Sequence, residues 1–237
     1  SESGEIREVD LERRSVDLRP VRTKRLRDDS HTIGYLRITQ FSESVPKKVE
    51  EALQELKEKE VEGLILDLRN NSGGLVSSGI AVADSLLSEE PIVETKNRNG
   101  IKDAITSQKE TSYDGPMVTL VNKGTASASE ILAGSLQDNG RSILMGNQTY
   151  GKGLIQSLKS LGENSGVAIT VASYLTPKGN NIQGQGITPD KLLDLPDASE
   201  YGSAEDKWVR NAELFLDSFL EKEEVSIQTP EISNEET

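Results

Sequence analysis

The sequence predicts an α/β fold in which helices flank a mainly parallel sheet. Nearly continuous apolar runs at 63–68 and 117–121 are typical of strands that are buried on both faces. Each run leads through a turn into a helical pattern, at about 76–87 and about 128–138. Because strand-turn-helix repeats connect through right-handed crossovers, these strands are expected to be neighbours in one parallel sheet.

The remaining elements are predicted from the period of their apolar residues. Two-residue alternation marks an N-terminal β segment at 7–13, followed by a basic run up to Arg27. The basic run is interpreted as a solvated strand face, with docking of an acidic partner or domain as the alternative. Further strands are expected at 33–38, 142–145, 154–158 and 167–174, and further helices at 46–59 and 206–220.

Composition excludes several classes of function. The 237 residues carry a formal net charge of −13, which argues against a general nucleic-acid binder because such proteins present a basic face. The absence of cysteine excludes disulfides, thiolate metal sites and a thiol nucleophile. No apolar run approaches the roughly 20 residues of a membrane-spanning helix. No cofactor or metal is expected.

A serine and a lysine in small-residue surroundings are the best candidates for catalysis. Ser127 lies between Ala126 and Ala128, and Lys152 lies between two glycines. With one histidine, His31, and no cysteine, a serine activated by a lysine is the economical choice for a hydrolase with a side-chain nucleophile.

The lysine would need help to act as a base. Desolvation without a neighbouring carboxylate favours its neutral form, and Gly151 and Gly153 leave room for close packing around Lys152. Gln156 follows four residues later in a predicted strand, where its side-chain oxygen can orient the amine.

Each candidate also has a purely structural interpretation. Ser127 and Glu130 match a capping box for the following helix, Gly73 lies in a tight turn, and Lys152 alone would be a solvated lysine. In the functional alternative, the N–H groups of Gly73 and Ala128 form one oxyanion hole. The reason is that carboxyl ends of parallel strands meet at the same edge of a sheet.

Asp138 is too far along the helix to complete a triad. Eleven helical residues separate it from Ser127, or about 16 Å at ~1.5 Å per residue. A lysine cannot contact both ends, so Asp138 is expected to tether the helix end or a loop.

These residues together resemble the carboxyl-terminal processing proteases, also called tail-specific proteases. The resemblance covers about residues 6 to 195, with matching motifs at 34–41, 66–74, 124–130, 149–153, 174–179 and 182–190. It implies a ClpP/crotonase-like core with Ser127 as nucleophile, Lys152 as general base and Gln156 as its orienting partner. It also implies that Gly73 and Ala128 supply the oxyanion N–H groups and that Asp138 occupies a supporting position.

The sequence departs from this family pattern in two places. Ser72 stands where the family usually has proline, and of the PDZ domain that normally precedes residue 33 only the trailing strands are expected in this sequence. Because that domain captures the substrate C-terminus, the core alone is expected to depend weakly on a free terminal carboxylate. The predicted regions are PDZ strands or a linker at 1–20, the protease core at 21–196, a C-terminal helix at 197–220 and a disordered acidic tail at 221–237.

The resulting hypothesis is an ATP-independent serine endopeptidase that cleaves proteins near their C-terminus through an acyl-enzyme. Expected partners are protein or peptide substrates with apolar C-termini, and self-association is left open. By resemblance the compartment is extracytoplasmic, either a periplasm or a thylakoid lumen. Two alternatives remain: a catalytically impaired core that binds peptides by strand addition, and a crotonase-like acyl-CoA enzyme, which needs no serine nucleophile.

Overall fold

The computed structural model describes residues 19–27, 31–100, 102–108, 110–162, 165–194 and 201–228. The β segment expected at 7–13, and nearly all of the region expected at 1–20 to be PDZ strands or a linker, lie outside these ranges. Within the ranges, no helix is both long enough and apolar enough to cross a bilayer.

The described residues form ten strands and four helices. In chain order they are β1 (Val21–Arg27), β2 (Thr32–Ile38), α1 (Val45–Glu58), β3 (Gly63–Asp67), α2 (Val76–Leu86), β4 (Pro91–Asn97), β5 (Lys102–Thr106), β6 (Met117–Val121), α3 (Ala128–Asp138), β7 (Ile143–Gly146), β8 (Leu154–Gly162), β9 (Ser165–Leu175), β10 (Lys191–Leu192) and α4 (Lys207–Gln228).

Six strands form a sheet in the order β1-β2-β3-β6-β7-β10. β1 is antiparallel to β2, and every other neighbouring pair is parallel. The register places Leu66 of β3 between Leu36 of β2 and Thr119 of β6. The predicted α/β architecture is therefore confirmed, with the two apolar runs side by side at the centre of the sheet.

Helices cover both faces of this sheet, which explains why its central strands are apolar throughout. Leu64 and Leu66 of β3 belong to a core that α1, α2 and α3 complete. Ile65, between them, belongs to a second core with Trp208 and Leu216 of α4. The two-residue alternation of a strand thus divides one apolar run between two cores.

A second sheet has the order β5-β4-β9-β8 and is antiparallel throughout. The strands expected at 154–158 and 167–174 exist, but they pair with each other as a hairpin and do not extend the parallel sheet. A short connection permits only antiparallel pairing, whereas an apolar pattern alone does not indicate direction. The sequence analysis did not predict β4 and β5, in which charged residues interrupt the apolar pattern.

The C-terminal helix is longer than predicted. α4 runs to Gln228, whereas the expected helix ended at 220 and a disordered tail began at 221. Residues Glu221–Glu224 are Glu-Lys-Glu-Glu, and these residue types are good helix formers although they bury little apolar surface. The remainder of the predicted tail, 229–237, lies outside the described residues.

Candidate active site

Ser127 occupies a strained turn between β6 and α3. It is the N-cap of α3, with φ 58° and ψ −118°, a conformation that residues with a side chain rarely adopt. Two hydrogen bonds to the turn after β3 hold this segment: Ala126 N–H donates to Asn71 O (3.0 Å), and the Thr125 hydroxyl donates to Leu68 O (2.9 Å). The strain therefore persists because the surrounding backbone is fixed.

Gly73 lies directly against Ser127. Its φ is +102°, and a Cβ built on it would lie 2.8 Å from the Ser127 Cβ and 3.2 Å from the Ala128 nitrogen. No side chain fits there, so Gly73 is required both for its conformation and for this close approach. The structure thus brings together Gly73, Ser127 and Ala128, the three residues that the sequence placed at one sheet edge.

The two expected oxyanion donors differ in availability. Gly73 N–H donates to Asn71 Oδ1 (3.0 Å), and Asn71 Nδ2 in turn donates to Ile38 O (3.0 Å), which fixes the orientation of the amide. Among the described residues, no acceptor is found for the N–H groups of Ala128 and Gly74. The structure therefore offers Ala128 as predicted, whereas Gly73 already has an acceptor that sequence reasoning missed.

Lys152 lies in a turn that packs against residues 182–187. A Cβ on Gly151 would lie 2.9 Å from Gly186 N, and one on Gly153 would lie 2.6 Å from Gln183 N. The two glycines therefore allow two backbone segments to meet. They do not bury the amine as expected, because the Lys152 side chain is exposed.

One buried carboxylate connects the serine turn to the lysine turn. Glu130 is 0% exposed, and its Oε2 accepts hydrogen bonds from the backbone N–H groups of Ser127 (2.9 Å) and Lys152 (2.8 Å). Its Oε1 accepts from Gly151 N–H (2.6 Å) and from the Thr149 hydroxyl (2.5 Å). Four donors compensate the buried charge.

Sequence reasoning had assigned Glu130 only to a cap of the helix. Its hydrogen bond from Ser127 N–H belongs to that capping pattern, which is readable over three residues. Its other partners lie about 20 residues away and have no local sequence signal.

The two turns border a cavity of about 720 Å³. Its lining residues are Ser72, Lys123, Gly124, Ala126, Tyr150, Gly151, Lys152, Leu154, Gln156 and Gln183. Gln156 is exposed on β8 and shares this cavity with Lys152, whereas Ser127 is half-buried next to the lining residue Ala126. A volume of this size is typical of sites that enclose a small ligand.

Asp138 and His31 lie away from this cavity lining. The Asp138 carboxylate accepts a hydrogen bond from Lys178 N–H (2.8 Å), so it ties the end of α3 to the loop after β9. His31, the single histidine of the sequence, is buried with its Nδ1 3.2 Å from Asp217 Oδ1 of α4. This arrangement disfavours a serine-histidine mechanism at Ser127.

The chain is similar to known processing proteases in sequence and in structure. Residues 32–193 match the family model for peptidase family S41. The chain is 48% identical to a carboxyl-terminal-processing protease of Synechocystis sp., over 80% of this chain and 44% of that protein. It is 43% identical to the chloroplastic carboxyl-terminal-processing peptidase 3 of Arabidopsis thaliana, over 80% of this chain and 38% of that protein.

Solved structures agree with these matches. The photosystem II D1 C-terminal processing protease aligns with a TM-score of 0.71 at 39% identity, over 79% of this chain and 52% of that one. A lipoprotein from Streptococcus agalactiae aligns with a TM-score of 0.65 at 22% identity, over 85% of this chain and 71% of that one. At this identity the match shows a shared fold only.

These matches cover most of the present chain but only part of the relatives. The chain spans less than half the length of the two curated relatives named above. The family model nevertheless covers about two thirds of the chain, including both turns that border the cavity. The chain belongs to peptidase family S41.

Proposed function

We propose that this chain is the catalytic core of a serine endopeptidase that cleaves protein substrates near their C-terminus. The observation that carries the proposal is the Glu130 carboxylate, which holds the backbone of both Ser127 and Lys152 beside one cavity. A purely structural helix cap would not need to hold the lysine turn as well.

In the proposed reaction, Ser127 Oγ attacks the scissile carbonyl carbon while Lys152 Nζ accepts the hydroxyl proton. The tetrahedral intermediate collapses to an acyl-enzyme, and the lysine returns its proton to the leaving amine. Water then attacks the ester with the same amine as base, which releases the new C-terminus and free Ser127.

The base must be neutral when it accepts the proton. The Lys152 side chain is exposed at the cavity, so its amine is in contact with water. A peptide that fills the cavity would displace this water, and desolvation favours the neutral amine. Gln156 lines the same cavity and carries no charge, so it can orient the amine without holding a proton on it.

Ala128 is the best-supported oxyanion donor. Its N–H is at the first position of α3, where the helix dipole adds positive potential, and it has no acceptor among the described residues. The second donor is either Gly73, after release or sharing of its hydrogen bond to Asn71, or Gly74. Each such donor is typically worth about 3–4 kcal/mol in the transition state.

Two further parts of the proposal rest on relatives. Substrates with apolar C-termini follow from the family resemblance, and several relatives are named as chloroplastic C-terminal processing peptidases. An extracytoplasmic compartment, either a periplasm or a thylakoid lumen, is proposed on the same grounds.

An acyl-enzyme trap tests the reaction. A serine-reactive acylating probe is incubated with the protein, and the modified peptide is identified by mass spectrometry. We expect one acyl group on Ser127, and none after Ser127→Ala. Labelling at another serine would overturn the assignment. A crotonase-like enzyme would give no covalent adduct at this position.

A further inference from the structure

The cavity beside the two turns is positively charged on a strongly acidic protein. The chain carries a net charge of −13, yet Lys123 and Lys152 both line this cavity. Within the described part of the chain, no Asp or Glu side chain lines it. Glu130 lies buried behind the turns, and each of its oxygens already accepts two hydrogen bonds.

The mechanism uses Lys152 but leaves Lys123 without a role. Lys123 lies four residues before Ser127 and is exposed, with no hydrogen bond or ion pair among the described residues. Its backbone is nevertheless fixed, because Asn122 Oδ1 accepts hydrogen bonds from Gly124 N–H (2.9 Å) and Asn70 N–H (2.9 Å). The turn therefore carries a free cation on a fixed backbone, four residues before the proposed nucleophile.

Apolar surface lies in the same cavity. Leu154 is 38% exposed and Tyr150 is 68% exposed, although side chains of this kind usually bury more of their surface. A ligand that combines a carboxylate with an apolar side chain would match both features. The C-terminal residue of a peptide with an apolar side chain has this composition.

The position of Lys123 in the chain limits how far this carboxylate can lie from the scissile bond. Lys123 is four residues before the proposed nucleophile Ser127 and lines the same cavity as the proposed base Lys152. Four residues of chain span at most about 14 Å, a distance that an extended peptide covers in about four residues at ~3.3 Å each. A carboxylate at Lys123 would therefore lie within a few residues of the cleaved bond.

We infer that Lys123 binds a carboxylate of the substrate and so makes the catalytic core itself selective for peptides with a negative charge close to the cleavage site. This inference rests on the proposed function and adds a specificity-determining residue to it. The carboxylate comes either from the substrate C-terminus or from an acidic side chain. Because Lys123 is exposed, the preference is modest, about two- to five-fold at low salt, and it decreases as salt screens the pair.

Peptide binding to the Ser127→Ala protein tests the inference without turnover. Three fluorescent peptides share one apolar sequence: one ends as a free acid, one as an amide, and one as an amide with glutamate in place of the last residue. We expect the free acid to bind about two- to five-fold more tightly than the plain amide. Tight binding of the glutamate amide would identify an acidic side chain as a second source of the carboxylate.

Variants of the cation assign the effect to one residue. In the Ser127→Ala protein, adding Lys123→Met should make the affinities for the free acid and the amide equal. Adding Lys123→Glu instead should make the amide bind more tightly than the free acid. Lys57→Met, on the exposed end of α1, is the matched control and should leave the ratio unchanged. Equal binding of all three peptides by the parent protein, or a preference for either carboxylate that survives Lys123→Met, would overturn the inference.

The two proposals fail in different ways. If the protein with intact Ser127 cleaves no peptide but binding still depends on Lys123, the proposed reaction is wrong and the carboxylate site stands. If cleavage occurs while Lys123→Met leaves the acid preference intact, the carboxylate site is wrong and the reaction stands.

Discussion

At the scale of single residues, two serines that are two positions apart allow the catalytic role to be tested separately from the structural one. Ser127→Ala should abolish peptide cleavage, while Ser129→Ala should keep most of it because the buried Ser129 hydroxyl donates only to Asn71 O (2.9 Å). Loss of the Ser127 cap, or of the Ser129 hydrogen bond, should lower the free energy of unfolding by about 1 kcal/mol in each variant. Cleavage rates and thermal unfolding of both variants check this, and an essential Ser129 with a dispensable Ser127 would contradict the assigned nucleophile.

Lys152 allows a test in which charge is kept and basicity is lost. Lys152→Arg should be inactive, because a guanidinium stays protonated and cannot accept the Ser127 proton. Folding should be unaffected, since the side chain is exposed and only its backbone N–H is held by Glu130. The measurement is turnover together with far-ultraviolet circular dichroism. An active arginine variant would exclude proton transfer to this residue.

Glu130 should matter for both turns at once. Glu130→Gln replaces an acceptor oxygen by an amide group that can only donate, so two of the four donors lose their acceptor. We expect a loss of about 2–4 kcal/mol in the free energy of unfolding and a large loss of turnover. Glu55→Gln, an exposed α1 residue paired with Lys59, is the control and should change stability by less than about 1 kcal/mol.

At the scale of elements, a pair of asparagines couples the turn after β3 to the turn after β6. Asn122 Nδ2 donates to Asn70 Oδ1 (2.9 Å), and Asn70 N–H donates to Asn122 Oδ1 (2.9 Å). Asn70 has a positive φ of 55°, and its Nδ2 also donates to the Tyr201 hydroxyl (2.8 Å). These contacts set the position of the turn that carries Gly73 relative to Ser127.

Replacing Asn70 by glycine tests its side-chain contacts without adding backbone strain, because glycine adopts a positive φ readily. Asn70→Gly keeps the positive φ without strain and keeps the backbone hydrogen bond to Asn122 Oδ1. It removes the two side-chain hydrogen bonds, from Asn122 Nδ2 and to the Tyr201 hydroxyl, so turnover should fall about five-fold at unchanged KM. Glu60→Gly is the matched control, because Glu60 also has a positive φ (53°) but lies at the end of α1. Steady-state kinetics of both variants measure this. Equal changes in turnover for Asn70→Gly and Glu60→Gly would show that the Asn70 side chain does not position the turn.

The elements around the serine were predictable because their signals are local. The apolar run 117–121, the small residues before Ser127 and the Asn139-Gly140 ending gave α3 with its observed bounds. The acceptor of the Gly73 N–H has a local signal that was missed, because an Asn two residues before a turn glycine can form an Asx turn. Only the hydrogen bond from the Asn71 amide to Ile38 O requires the fold. The exposure of Lys152 was missed for a similar reason: glycines at 151 and 153 indicate close packing but not which group is packed.

At the scale of the whole molecule, a buried ionic network joins the C-terminal segment to the central sheet. The Arg69 guanidinium is 0% exposed and donates to both oxygens of Asp67 and of Asp206, at 2.6 to 3.0 Å. The Tyr201 ring lies 4.4 Å from Arg69 and 4.5 Å from Arg37. The network therefore connects β3 to the residues that precede α4.

This network should make stability depend on acid pH. Burial by itself would raise the pKa of Asp206, but hydrogen bonds from Arg69 and from Gly202 N–H outweigh it, and the pKa lies below its ordinary value. A carboxylate with a lowered folded-state pKa contributes stability that is fully present above its unfolded pKa. That contribution is lost as pH falls through the folded pKa.

Asp206→Asn should therefore destabilise the protein most near neutral pH, by about 3 kcal/mol, because Arg69 loses one of its two carboxylates. The difference from the parent protein should narrow as pH falls below about 3.9. Urea unfolding across this pH range measures it, with the exposed Asp103→Asn as control. A difference that is constant with pH would show that the ionised carboxylate contributes nothing specific.

The hydrogen bonds of the Glu130 carboxylate predict an order in which the proposed active site assembles during biosynthesis. The ribosome completes residues 127–130 before it makes 149–152, and three of the four donors to Glu130 belong to that later segment. Until those residues emerge and fold, burying Glu130 is unfavourable and the serine turn lacks its anchor. We therefore expect the proposed active site to assemble only after both turns have been synthesised, so that the proposed cleavage cannot begin on a nascent chain that ends before residue 152.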